Sequence, residues 1–210
     1  MDDDHGLAAA RVFDALGAEY ERAFAGSTTH HASLRRLLEH LAPHSRVLDV
    51  GSGTGRPTAQ VLAEAGHDVL GVDVSPVMVE LAAGQVPGAS FECADIRELP
   101  LEEGSFDAIC VYFSLLQMSR DDQSRLMRKL ARLLVPGGHL VVATVPVDAE
   151  DVSVVFMGHE VRATSFGAEE FTELVAGAGF TVLWQQAGLF TPAHEAAVAE
   201  PQLFLHCRRD

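Results

Sequence analysis

Three aspartates, Asp49, Asp73 and Asp95, end or follow short apolar runs, and three glycines, Gly51, Gly53 and Gly55, stand directly behind the first of them. A carboxylate at the end of a buried strand accepts hydrogen bonds from ligand hydroxyls or amines. Glycine lets the backbone take a positive φ and approach a ligand with no Cβ in the way. Together these residue types make a strand-to-helix ligand loop. A dinucleotide fingerprint would read G-x-G-x-x-G over a pyrophosphate, and a P-loop would end in Gly-Lys-Ser/Thr. Gly51-Ser52-Gly53-Thr54-Gly55 has neither spacing.

At the carboxyl end of a second strand in a doubly wound sheet, Asp73 suits both hydroxyls of a ribose, and this is the firmest single assignment; the bland alternative is an acid at the positive end of the helix that Ser75-Pro76 begins. Asp95 suits an exocyclic adenine amine, with Ile96 over the ring, or the bland task of capping loop N–H groups. His30, His31 and His159 titrate near neutrality and are the candidates for taking a proton from a reacting group, although each also fits a surface or structural place. Asp121-Asp122 reads as two acids at a helix start rather than as a metal pair. Cys93, Cys110 and Cys207 are odd in number and far apart in apolar runs, which reads as reduced, buried thiols.

The elements that must hold these residues alternate. Apolar spacing predicts one amphipathic helix over 7–24, broken by Gly26-Ser27-Thr28-Thr29, and a second over 33–41 that Pro43 stops. Both precede the first strand, so they can lie across the mouth of the glycine loop as a lid. Strands follow at 46–50, 68–73, 90–93, 105–112, 139–145, 181–186 and 202–207, with helices after Pro57, after Ser75, over 120–134 and from 167 to 177. Residues 146–165 read as a long connection, too apolar for a solvated loop and suited to building a binding site. The rhythm is that of one α/β domain over 1–210: a helical extension over 1–44, a core over 45–210, and an insertion at about 146–166 on the substrate side.

Composition narrows the partners. Thirty acids against fifteen bases give a net charge of -15, which disfavours nucleic acid. No apolar run reaches the ~20 residues of a membrane span. Acids at Asp2, Asp3 and Asp4, where a secretory leader carries bases, lead us to expect a cytoplasmic protein, monomeric or homodimeric.

Asp49-Val-Gly-Ser-Gly-Thr-Gly, Asp73, Ala94-Asp95-Ile96, Phe106-Asp107 and Leu134-Val-Pro-Gly-Gly occur in the succession found in class I S-adenosylmethionine-dependent methyltransferases of the small-molecule type, and the chain resembles that family over nearly its whole length. The resemblance implies a Rossmann-like, doubly wound sheet of seven strands in order 3-2-1-4-5-7-6, the last antiparallel. It implies S-adenosyl-L-methionine as cofactor, S-adenosyl-L-homocysteine as product, and a small apolar or aromatic acceptor. By the same resemblance Gly51, Ser52 and Gly53 contact the methionine end and Asp49 orients it through water or backbone. Asp73 and Asp95 hold ribose and adenine, and Val74, Met78 and Ile96 sandwich the purine. Tyr20 closes over the cofactor or is a core residue, while Phe113 lines the channel to the sulfonium. Many relatives carry histidine where Gln117 stands and another near Ser165, so this chain departs at two positions that could serve as base; Gln117 and His159 stay as the catalytic candidates, with His159 as the base if one is needed. The Asn/Asp-Pro-Pro-Tyr/Phe motif of amino-group methylases is replaced by Tyr112-Phe113-Ser114. Two other readings stay open: a regulatory protein that binds the cofactor without turnover, and a nicotinamide oxidoreductase, which the glycine spacing opposes.

Overall fold

Strand β1 (Arg46–Val50) is buried from its second residue to its last, which only a strand covered on both faces can be. Its period of two sorts the core. Leu48 and Val50 pack on one side with Leu126, Met127 and Phe171, whereas Val47 packs on the other with Leu34, Leu37 and Leu62. A computed structural model describes residues 3–210 and gives the elements that supply these layers. They are helices α1 (Asp3–Leu16), α2 (Ala18–Phe24), α3 (Thr28–Leu38), α4 (Thr58–Glu64), α5 (Pro76–Gln85), α6 (Arg120–Leu133) and α7 (Ala168–Gly177). The remaining strands are β2 (Asp68–Asp73), β3 (Ser90–Cys93), β4 (Phe106–Tyr112), β5 (Leu134–Thr144), β6 (Ala149–Phe156), β7 (His159–Ser165), β8 (Phe180–Phe190) and β9 (Glu200–Arg209).

The main sheet has seven strands in the order β3-β2-β1-β4-β5-β9-β8, with β9 antiparallel to both neighbours. Setting aside the separate β6–β7 pair, this is the order that the resemblance implies. The parallel strands bring the ends of β1, β2 and β4 to one edge. β9 runs the other way, so its first residue, Glu200, comes to that edge as well.

Four expectations are corrected. The 7–24 helix is two helices, because Gly17 at φ 48° breaks the chain between α1 and α2. The second helix starts at Thr28 and not near Ser33, since Ser27 Oγ accepts the His30 N–H at 3.4 Å and caps it. Residues 146–165 are no loop but the hairpin β6–β7, closed by Met157 and Gly158 at φ 48° and 84°, the signs of a type I′ turn. Met-Gly is not among the strong hairpin dipeptides, so the turn was silent. Finally, Cys93 is exposed; Cys110 and Cys207 are the buried thiols. Smaller shifts lie at strand ends: β5 already begins at Leu134, with the Pro-Gly-Gly stretch bulged inside it, and β8 and β9 outrun 181–186 and 202–207.

The N-terminal helices pack against the hairpin. Val12, Phe13, Leu16, Tyr20 and Phe24 make a small core of their own with Phe156 and Met157 of the hairpin. No helix among the described residues is long and apolar enough to cross a membrane.

At the outer side of the sheet His139 Nδ1 lies 3.0 Å from His206 Nε2, and His40 packs on both rings at 5.0 Å. Burial, then the neighbouring histidines, lower His206 from 6.5 to about 4. A group depressed in the fold leaves the unfolded chain binding more protons, so stability is full above about 6.5 and drains away as pH falls towards 4. We expect the wild type to lose about 3 kcal/mol more than His206→Leu between pH 7 and pH 4. Denaturant unfolding at a series of pH values measures it; parallel curves for the two proteins would refute it.

Candidate functional site

The glycine loop leaves β1 at the sheet edge where β2 and β4 also end, and its backbone shape needs glycine. Gly51 has φ 68°, and a Cβ there would meet Ser114 Cβ at 2.2 Å. Ser114 Oγ donates to Val50 O at 2.9 Å and ties the β4 loop to this turn. At Gly53, φ 52°, a Cβ would meet nothing, because the residue faces an open cleft of about 830 Å³. Asp73, Val74, Met78, Asp95, Ile96 and Phe113 line the same cleft, so six of the residues named from sequence converge with Gly51 and Gly53. Asp49 and Ser52 do not line it. They are buried close by, at 2% and 7% exposure.

The carboxylates differ in how they are held. Asp73 Oδ2 accepts the Gly53 N–H and Oδ1 the Ser75 N–H, both at 2.9 Å, which clasps the glycine loop to the start of α5. Burial nevertheless raises its pKa, the N–H donors opposing. Asp49 has no donor on Oδ2. Burial, then the charge of Asp73, push it from 3.8 up to about 8. Ser52 Oγ is likewise buried without a partner. Buried polar atoms left orphaned are what a polar ligand would complete. Burial also acts upward on Asp95, but hydrogen bonds from the Arg97 side chain and N–H outweigh it and hold Asp95 below the usual carboxylate range. Arg97 also reaches Asp122 at 3.2 Å, which gives that helix-start acid a cationic partner.

A second cavity, of about 1030 Å³, opens beside the first under the hairpin. Its walls are mostly apolar, Leu116, Val145, Val152, Val154, Phe156 and Val161 among them, with Gln117, Ser165 and Glu200 as the polar exceptions. Phe13, Tyr20, Phe113 and Gln117 line both cavities and form the boundary between them. Tyr20 is also part of the small core of the N-terminal helices, stacked on Phe24 at 4.8 Å, so it packs as a core residue while it lines the cleft.

The histidines expected near the reacting groups are elsewhere. His159 pairs with Phe156 at the hairpin turn and lines neither cavity, so the apolar insertion does not carry it to the boundary. His31 is exposed. His30 lies 3.8 Å, centroid to centroid, from Tyr112 and bonds Thr58 Oγ1 at 3.0 Å; burial, then His31, lower it to about 3, far from a proton acceptor at neutral pH. Sequence reading missed Phe13, Arg97 and Glu200. Phe13 was visible only as part of an apolar stripe, Arg97 had no signal, and Glu200 is a lone acid before Pro201 until β9 is paired.

Comparison with known proteins adds to this geometry. The family model described as "Methyltransferase domain" matches residues 47–138, the span from β1 into β5. The chain is 38% identical over 108 residues to "Methyltransferase GfsG" of Streptomyces halstedii, covering 49% of this chain and 38% of that protein. It is 34% identical over 151 residues to "O-methyltransferase resE" of Aspergillus sclerotiorum, covering 65% and 55%. The chain thus spans about half the length, or less, of these curated relatives. Among solved structures, the Burkholderia thailandensis 1,6-didemethyltoxoflavin-N1-methyltransferase with bound 1,6-didemethyltoxoflavin and S-adenosylhomocysteine superposes with a TM-score of 0.74. It is 22% identical and covers 100% of this chain and 90% of that one. Residues 47–138 thus match a methyltransferase domain, and the sheet that they help to build has the fold of the solved methyltransferase.

Proposed function

We propose that the chain binds S-adenosyl-L-methionine in the first cavity and transfers its methyl group to a small apolar molecule in the second. The observation that carries this reading is the shared wall: a cleft with carboxylates and a glycine loop meets an apolar cavity at Phe13, Tyr20, Phe113 and Gln117. The residues fit the cofactor. Open space at Gly53, the orphaned Asp49 Oδ2 and the orphaned Ser52 Oγ suit a polar amino-acid end. Asp73 keeps lone pairs for ribose hydroxyls, and Val74, Met78 and Ile96 offer apolar cover for a purine. Asp95 lines the same cleft and offers a carboxylate that suits the adenine amine, with Arg97 fixing its orientation.

When bound, the cofactor supplies a methyl carbon that already carries a positively charged sulfur leaving group. The chain's own part is to align and to exclude water. Phe13 and Phe113 supply apolar walls at the boundary, and Gln117 offers an amide that can orient an acceptor heteroatom. The aliphatic second cavity supports an apolar acceptor. Three cysteines without a disulfide support a reducing compartment and hence the cytoplasm.

The test is calorimetric titration with S-adenosylmethionine, S-adenosylhomocysteine and NADH. Micromolar binding of the first two and none of the third is expected; folded protein that binds neither sulfur compound would end this reading. A cofactor-binding protein without turnover is the second reading, favoured by the amide of Gln117 where relatives hold histidine. Binding with no methyl transfer across an acceptor panel would establish it.

A further inference from the structure

Resting on that proposed function, the geometry points to Glu200 as the group that meets the acceptor's reactive heteroatom: we propose that its carboxylate takes the proton of an acidic, phenol-type hydroxyl on an apolar acceptor as the methyl group is transferred.

Among the described residues Glu200 is the one charged side chain that lines the second cavity, whose other walls are aliphatic and aromatic apart from Gln117 and Ser165. It is the first residue of β9, and the antiparallel run of that strand brings it to the sheet edge on which the glycine loop opens. It pairs across the sheet with Phe190, which packs on Phe24 at 5.6 Å, so the carboxylate emerges among aromatic faces suited to a planar acceptor. Gln202 Nε2 donates to its Oε1 at 2.8 Å; Oε2 has no hydrogen-bond partner among the described residues. One oxygen is thus oriented and the other is left for a ligand.

Its position relative to the first cavity matters as much. Tyr20 lines both cavities, and its phenol feels the charges of Glu200 and of Asp73 alike, so Glu200 stands one ring away from the cofactor cleft. Tyr20 is the titratable group that faces Glu200; its own pKa is raised by burial and then by these two carboxylates, so it stays a neutral phenol. Burial also raises Glu200, opposed by the Gln202 hydrogen bond, which narrows its gap from a phenol-type hydroxyl near about 10. An ordinary alcohol lies too far above it. In the step, the acceptor O–H bond breaks with its proton going to Glu200, the oxygen's electron pair forms the bond to the methyl carbon, and the methyl–sulfur pair stays on sulfur as a neutral thioether. The proton leaves to solvent when product departs.

The test uses naphthol as probe and the full chain loaded with S-adenosylhomocysteine. Glu200→Gln keeps the shape, and its amide oxygen takes the Gln202 donor, which turns an NH₂ towards the cavity in place of an acceptor oxygen. Naphthol is expected to bind the variant about tenfold or more weakly, while its methyl ether, with no proton to give, binds both proteins alike. With S-adenosylmethionine, formation of that ether is expected to fall about a hundredfold or more in the variant and to lose the acidic limb of its pH profile. Equal naphthol binding and an unchanged pH profile in a variant that still binds S-adenosylhomocysteine would overturn the proposal. So would failure of the loaded wild type to bind naphthol. Failure of the wild type to bind S-adenosylhomocysteine would instead overturn the function on which it rests.

Discussion

Asp73→Ala is expected to lower the affinity for S-adenosylhomocysteine about a hundredfold or more and to destabilise the protein by about 2 to 4 kcal/mol. Both effects come from one carboxylate with two tasks. Its oxygens accept the Gly53 and Ser75 N–H groups, each at 2.9 Å, so truncation strips two charge-assisted hydrogen bonds and lets the glycine loop part from α5. The same carboxylate lines the cleft and is the acceptor for ribose hydroxyls in the proposed complex. Asp73→Asn separates the tasks, since an amide oxygen can still accept one N–H while its NH₂ repels the other. It should recover part of the stability and little of the affinity. Calorimetry and thermal unfolding on the two variants read this out; full affinity in a folded Asp73→Ala protein would refute the ribose assignment.

Asp49→Asn should move stability and binding in opposite directions. Asp49 is 2% exposed, has an oxygen without a partner, and is pushed to about 8 by burial and by Asp73. A group raised in the fold contributes stability that is complete below its unfolded value near 3.8 and is lost as pH rises through 8. Near neutral pH the unfolded chain gains by ionising this acid and the folded chain does not. Asparagine removes that penalty, so the variant is expected to be more stable than the wild type by on the order of 3 kcal/mol at pH 7 to 8, with the difference vanishing near pH 4. Binding should suffer. A cation brought to the methionine end favours the ionised carboxylate, so cofactor binding to the wild type should release a proton below pH 8, visible as a calorimetric heat that depends on the buffer's ionisation enthalpy. Asp49→Asn should abolish that dependence and weaken binding about tenfold or more. A variant of unchanged or lower stability at pH 8 would show that the carboxylate finds a partner in the ligand-free protein.

Much of the first cavity was legible because its residues are local to motifs. Gly51, Gly53, Asp73, Asp95 and Ile96 each sit within a few positions of a strand end. A parallel sheet carries all such ends to one edge whatever the details of packing. The same logic failed for His159. The apolar hairpin does wall the second cavity, yet whether a given hairpin residue faces that cavity depends on register, and a shift of one residue turns every side chain to the opposite face. His30 failed for another reason. A cap at Ser27 starts α3 early and carries the ring onto Tyr112, so a histidine expected near the acceptor is part of the packing against the sheet.

The sequence by itself determined the α/β alternation, the ligand loop and the carboxylates that close β1 and β2, because strand period, glycine spacing and strand-end acids are encoded over ten residues or fewer. Only the tertiary structure decided which groups share a cavity. Phe13 and Tyr20 both reach the boundary because Gly17 turns the chain between α1 and α2. Glu200 reaches the second cavity because β9 pairs antiparallel with β5, matching Leu203 to Thr144 across a long stretch of chain. Such pairings are set by burying a whole sheet face at once, and no local window of sequence contains them.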